Sequence, residues 1–167
     1  MKDISYKYYY WGPFLYHSQI TPDERKMLLK EGKKCRKKSN DYRSRLAGHL
    51  SEEYRLNNIK GIMEWFKKYI QTYTEGYKQW RGRKYKPLNN LHVNDFWINY
   101  MKSNDFNPPH DHAGDISFVI YLHVPKEIDK ENKNFKCSGA GPGSIQFLYG
   151  QGDHQYIDTV DMMPKTG

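Results

Sequence analysis

The residues best suited to chemistry are His110 and His112, in the stretch Asn107-Pro108-Pro109-His110-Asp111-His112-Ala113-Gly114-Asp115. In an extended backbone, residues two apart project from the same side, so this spacing presents two imidazoles to one metal ion. Pro108-Pro109 fixes the backbone and excludes helix just upstream. The run Ile116-Ser117-Phe118-Val119-Ile120-Tyr121-Leu122 that follows is β-prone and predicts a rigid strand to anchor the pair. A polar turn that merely contains two histidines has the same spacing, and the flanking residues favour the metal.

Such a pair needs a frame, and the surrounding pattern predicts one. Leu91 to Met101 reads as a strand centred on Phe96-Trp97-Ile98, and Ile116 to Val124 as another, ended by Pro125. In the second, Ile116, Phe118, Ile120, Leu122 and Val124 form an apolar face, while Ser117, Val119, Tyr121 and His123 form a mixed one. That alternation suits a sheet wall with helices outside and a cavity inside. Lys126 to Lys136 reads as a charged connection, and Gly139-Ala140-Gly141-Pro142-Gly143 as a turn into a short strand, Ser144 to Tyr149. This Gly-rich turn lacks the Lys-Ser/Thr of a P-loop and a helix behind it, so it does not read as a phosphate cradle.

Upstream the grammar is helical. Ser5 to Tyr16 is aromatic and extended, turning at Gly12-Pro13. Thr21-Pro22-Asp23-Glu24 is a capping box with proline at the first helical position, and predicts a helix into the low thirties, weakened at Gly32. Leu46, Leu50 and Tyr54 at four-residue steps predict a second helix between Tyr42 and Leu56. Ile59, Ile62, Met63, Phe66, Tyr69, Ile70, Tyr73, Tyr77 and Trp80 hold helical spacing, which predicts a long amphipathic helix with an aromatic core face. No internal repeat is visible. The expectation is one α+β domain over 1–167, with a mainly helical part (1–86) and a β-rich part (87–167) on a shared core.

Composition narrows the class. Of 167 residues 16% are aromatic, including 15 Tyr and 4 Trp, which marks a folded chain. No apolar run approaches the roughly 20 residues that span a bilayer, and the N-terminus has no signal-peptide core. Cys35 and Cys137 match no zinc or redox spacing, so reduced thiols and a cytoplasmic location are expected. Between Arg25 and Arg45, ten Lys/Arg face only Glu31 and Asp41, a surplus equal to the chain's net charge of +8. Such a cluster can hold phosphates by counterion release, but it is not interleaved with aromatics in the manner of a nucleic-acid stacking platform.

Asp95-Phe96-Trp97-Ile98-Asn99-Tyr100, followed by the Asn107–Leu122 motif and Pro125, resembles 2-oxoglutarate/Fe(II)-dependent oxygenases of the kind found in marine phages and bacteria. Leu46-Ala47-Gly48-His49-Leu50-x-Glu52-Glu53-Tyr54 and Gly141-Pro142-Gly143-Ser144-Ile145-x-Phe147-x-Tyr149-Gly150 extend the resemblance over most of the chain. It implies a double-stranded β-helix (a jelly-roll, cupin-like fold) with N-terminal helices packed on the sheet. It also implies Fe(II) in a facial triad and 2-oxoglutarate as cosubstrate. His110 is then the proximal histidine. Position 112 is His where the common pattern has Asp, so either His112 is itself a ligand or a nearby carboxylate is, Asp115 rather than Asp111. Asp111 points to the opposite face of an extended segment. Asn99 and Tyr121 are the candidates for the cosubstrate pocket.

The family's distal histidine and oxoglutarate-binding Arg or Lys have no counterpart before Pro164-Lys165-Thr166-Gly167, so the chain reads as C-terminally truncated, with its activity open. Exposed strand edges in such a fold invite homo-oligomers. Two alternatives stand beside the oxygenase: a cupin-like three-histidine metalloprotein using His123 or His154, and a non-enzymatic basic module on nucleic acid. The substrate, a protein side chain or a small molecule, has no transferable signature.

Overall fold

The computed structural model describes residues 4–10, 12–82, 91–150 and 158–167. Two units are distinguished, Met1–Ser117 and Phe118–Gly167. His154 and Trp11 lie outside the described residues.

The first unit opens with an antiparallel hairpin, β1 (Tyr6–Tyr10) and β2 (Phe14–Ser18), in the register Tyr6↔Ser18 to Tyr10↔Phe14. Gly12, at φ 35°, supplies the left-handed turn residue that the aromatic segment needs. The expected long helix is α2 (Ile59–Arg81), started by Asn58, whose side chain accepts from the Gly61 amide. Its aromatic face receives the hairpin. The Phe14 ring lies 5.3 Å from Tyr73, 5.7 Å from Tyr77 and 5.7 Å from Trp80. Gly76 permits this approach, since a Cβ there would stand 3.1 Å from Phe14 Cζ.

Helix α1 (Pro22–Cys35) begins with the capping box read from the sequence: Thr21 Oγ1 accepts from the Glu24 amide and Glu24 Oε2 from the Thr21 amide. Glu24 also ties α1 to α2, accepting from Tyr69 Oη at 2.7 Å and pairing with Lys68. Gly32 does not end the helix but seats it against a strand described below. Among the described residues, the buried apolar side chains (Ile20, Leu28, Cys35, Leu50, Leu56, Ile62 and Tyr69) all belong to this unit.

The helix expected over Tyr42–Leu56 does not form. Two single 3₁₀ turns (Lys38–Asn40 and Arg43–Arg45) lead instead into strand β3 (Glu53–Arg55). Short polar side chains take over the local backbone: Asn40 Nδ2 donates to Cys35 O at 3.0 Å and Asp41 Oδ1 accepts from the Arg43 amide at 3.2 Å. Such bonds compete with helix. β3 pairs antiparallel with β4 (Trp97–Asn99), which is shorter than the strand expected over Leu91–Met101. Backbone bonds extend this ladder at both ends, from Leu56 N to Phe96 O, from Tyr100 N to Glu52 O, and in the mutual pair His49–Phe106.

Arg36, just past α1, grips Glu52 with two bonds of 2.7 Å, joined by Tyr54 Oη and Lys102. The Arg36 bonds, against some burial, hold the Glu52 carboxyl at about 2, below its usual 4.5. A depressed carboxylate stabilises the fold above its unfolded pKa and loses that contribution as pH falls towards the folded one. The melting temperatures of wild type and Glu52→Gln therefore differ most above pH about 4.5 and converge as pH falls towards 2, in an acid series of thermal melts.

In the second unit, Lys126–Asn134 forms helix α3 where a charged connection was expected. Glu127 and Asp129 in its first turn and Lys133 in its last suit the helix dipole. The Gly-rich turn folds onto it: Asn132 Nδ2 donates to Pro142 O at 2.8 Å. Gly143, at φ 74°, carries no Cβ because one would meet Ile128 at 2.8 Å. The turn leads into β5 (Ile145–Tyr149), paired antiparallel with β6 (Asp158–Met162). The run Ile116–Val124 is not one of the named strands. It is held instead by Gly167 N donating to Tyr121 O and Val124 N donating to Thr166 Oγ1, each at 2.9 Å. Among the described residues, the strands pair two by two.

Candidate metal centre

The β3–β4 ladder sorts its side chains by alternation. Glu53 opposes Asn99 and Arg55 opposes Trp97, so these four share one face. Tyr54, Ile98 and Tyr100 take the other, where Ile98 Cδ1 and Tyr100 Oη approach Gly32 of α1 and Arg36 lies 4.5 Å above the Tyr100 ring.

The histidine segment reaches the first face because of how it leaves the ladder. Asp105 holds the intervening bend, accepting from Ser51 N (3.0 Å), Ser51 Oγ (2.9 Å) and Lys102 N (3.0 Å), with Asn104 at φ 71°. Phe106 then pairs with His49, and Asn107-Pro108-Pro109 carries the chain back. The His112 ring stacks on Trp97 (centroids 5.9 Å apart, 29° between planes), and the His110 ring stands 4.8 Å from His112. His110 Nδ1 lies 2.7 Å from Pro108 O. A carbonyl only accepts, so Nδ1 is the donor; in the neutral ring Nε2 is then the acceptor, the tautomer a metal ligand needs.

The structure thus brings His110 and His112 together, both exposed. Asp115 is exposed beyond Gly114, and Asp111 is exposed between the histidines. Asn99 stands on the ladder face, with a buried Oδ1 that has no hydrogen-bond partner. Tyr121 belongs to the second unit, where burial pushes its phenol pKa up; His123, in the same unit, is exposed.

One residue is added by the fold. Glu53 is 1% exposed, and its Oε2 is buried with no hydrogen-bond partner. Burial raises its carboxyl pKa; Arg43 and His110 oppose the rise, while Asp41 and Asp105 add to it. The signal was the doublet Glu52-Glu53, since in a strand adjacent carboxylates point to opposite faces, one to Arg36 and one inward.

Two imidazoles, a carboxylate and an amide oxygen make a donor set that Fe(II) and its neighbours accept. As placed, no three His, Cys, Asp or Glu among the described residues enclose one point at metal-binding range. The donor types are ones a divalent transition metal accepts. A separate open cleft of about 420 Å³ is polar and lined by Ser39, Asp41, Tyr42, Arg45, Arg55 and Asn57, among others. In the basic segment, Lys34, Arg36 and Arg43 spend their charge on Glu31, Glu52 and Asp41.

No family model, curated protein or solved structure matches the chain. Among the described residues, no helix is long and apolar enough to cross a membrane.

Proposed function

We propose that this chain is a metal-dependent oxygenase of the 2-oxoglutarate/Fe(II) type, a hydroxylase built on a double-stranded β-helix with α1 and α2 outside it. The observation that carries the reading is the histidine pair: rings 4.8 Å apart, with His110 Nδ1 turned to Pro108 O. Bound Fe(II) supplies the oxidising chemistry that no side chain can. The chain's own residues do the rest. His110 and His112 would hold the ion, Trp97 backs the His112 ring, and Asn99 is assigned to the cosubstrate 2-oxoglutarate. Asp115 is the carboxylate that the resemblance favours as a ligand. The substrate is a protein side chain or a small molecule, and the compartment is the cytoplasm. The basic stretch Arg25–Arg45 is assigned to the fold rather than to nucleic acid, because several of its cations are paired within the chain.

Anaerobic Fe(II) titration of the whole chain tests this. One equivalent is expected to bind, with His110→Ala and His112→Ala each weakening it by at least about tenfold, the scale of even outer-shell losses. When O2 is then admitted to the iron-loaded wild type, oxidative decarboxylation of 2-oxoglutarate to succinate and CO2 is expected. A wild type that takes up no iron overturns the reading.

A further inference from the structure

We propose that the open cleft formed by the 3₁₀ turns and the end of β3 binds a small phosphate ester, with Arg45 and Arg55 holding the phosphate. None of its lining residues belongs to the histidine segment, and it needs no metal.

Short polar side chains (Ser39, Asn40, Asp41 and Ser44) keep the backbone out of helix here and in tight turns. Arg45 ends the second turn and Arg55 ends β3. The turns are stitched to the strand by the bridge between Asp41 and Tyr54 and by the Tyr42 amide, which donates to Glu53 O at 2.9 Å. That stitching is why the two arginines line one cleft, of about 420 Å³.

The charge left in the cleft is positive. Its carboxylate, Asp41, is taken by Arg43, which donates from Nε at 3.0 Å and Nη2 at 2.6 Å and holds the carboxyl at about 2, below its usual 3.8. Among the described residues, Arg45 has no ion pair, and its guanidinium makes no hydrogen bond. Arg55 stands 3.6 Å from Asp95 Oδ1, beyond hydrogen-bond length. Asp95 is itself occupied, accepting from Tyr42 Oη and from the Phe96 amide. The Arg55 guanidinium also lies 5.8 Å from the centre of the Tyr42 ring, within cation–π range, which restricts its swing and leaves its donor fork unspent.

A guanidinium fork matches two oxygens of one phosphate, and two forks with the Ser39 and Ser44 hydroxyls offer more donors than a carboxylate has oxygens. A phosphate monoester carries about −1.5 to −2 charge at neutral pH and three acceptor oxygens, enough for both arginines. The volume exceeds that of one phosphate and falls in the range of roughly 300–1,000 Å³ typical of small-molecule sites. The other lining side chains, Asn40, Tyr42 and Asn57, are polar and suit a hydroxyl-bearing body such as a sugar. A nucleic acid strand needs free cations along its path, whereas the neighbouring Lys34, Arg36 and Arg43 are paired within the chain.

The probe is ribose 5-phosphate, with inorganic phosphate and ribose beside it, titrated by calorimetry into the whole chain in EDTA. Chloride at about 0.15 M, where the Debye length is about 8 Å, screens any diffuse basic field. The sugar phosphate is expected to bind, inorganic phosphate to bind more weakly, and ribose not at all. Arg45→Gln and Arg55→Gln are each expected to weaken the sugar phosphate by at least about tenfold. Arg45→Lys keeps the charge but not the fork, and is expected to lose part of that affinity. Lys33→Gln, in the last turn of α1 and outside the cleft, is expected to bind as wild type does. Arg45 is exposed and unpaired, so its variants keep the fold and give the readout should Arg55→Gln not fold. A wild type that binds neither phosphate compound overturns the proposal. So does a Lys33→Gln loss equal to that of Arg45→Gln, which, with steeply salt-dependent binding of a DNA duplex, would give the basic segment to nucleic acid instead. Fe(II) affinity is expected to be unchanged in Arg45→Gln, so the cleft and the metal reading can fail separately.

Discussion

Ile62→Ala is expected to lower the stability of the chain by about 2–5 kcal/mol, read as a fall in the urea midpoint at unchanged slope. Ile62 is 1% exposed, the most completely buried apolar side chain described, and stands in the first turn of α2 directly after the Asn58 cap. The loss has two parts, the transfer energy of three carbons and the cavity that a close-packed interior cannot fully collapse. Its weight comes from context. The buried apolar set in the first unit is small, so few other side chains share the stabilisation. Against a usual total of about 5–15 kcal/mol, such a loss is a large fraction. Leu148→Ala, on β5 and 46% exposed, removes similar atoms from a wetter place and is expected to cost within about 0.5 kcal/mol. Equal losses at the two positions would mean that the core is not centred on α2.

The contrast between these positions bears on what a sequence can disclose. The α2 period was legible because one helix face is a local property: Ile62, Tyr69 and Gly76 are buried at seven-residue spacing. The start of α1 was equally local, since Thr21 and Glu24 satisfy each other within one turn. Tyr42–Leu56 misled because Leu46, Leu50 and Tyr54 imitate a helical period, while Asn40 and Asp41 capture the backbone and Glu53–Arg55 finds a distant strand. Helix α3 escaped for the opposite reason: Glu and Lys favour helix, but Ile128 alone gives no apolar period. Strand propensity over Ile116–Val124 was present, yet the run is not one of the named strands, because strand pairing is decided by partners elsewhere in the chain. The same rule divides the candidate site. The His110/His112 pairing follows from two adjacent alternations of one segment. That Trp97 backs His112, and that Glu53 faces Asn99, depends on the register of β3 against β4, which no local pattern carries.

Gly32→Val is expected to weaken the fold and the proposed metal binding together. A Cβ at Gly32 would overlap Ile98 Cδ1 and stand 2.9 Å from Tyr100 Oη, so α1 rests on the back of β4 with no room for a side chain. Overpacking of this kind costs about 1–3 kcal/mol. Part of the clash falls on the tip of Ile98, which can rotate, and alanine gains about 1 kcal/mol of helix propensity over glycine. Gly32→Ala is therefore expected to stay near wild type, whereas valine adds two methyls to an already crowded seat and is expected to be destabilising. The atoms that the strain meets belong to β4 and the residue after it. Ile98 and Tyr100 alternate with Trp97 and Asn99, so moving the back face moves the front one, with the ring that supports His112 and the oxygen opposite Glu53. The melting temperature and Fe(II) affinity of Gly32→Val are expected to fall in parallel, and adding Ile98→Ala to restore part of both, a favourable coupling in the double-mutant cycle. A variant that keeps its Fe(II) affinity while losing stability would show the front face to be held by the His49–Phe106 pair and the Asp105 bend rather than by the seat of α1 on β4.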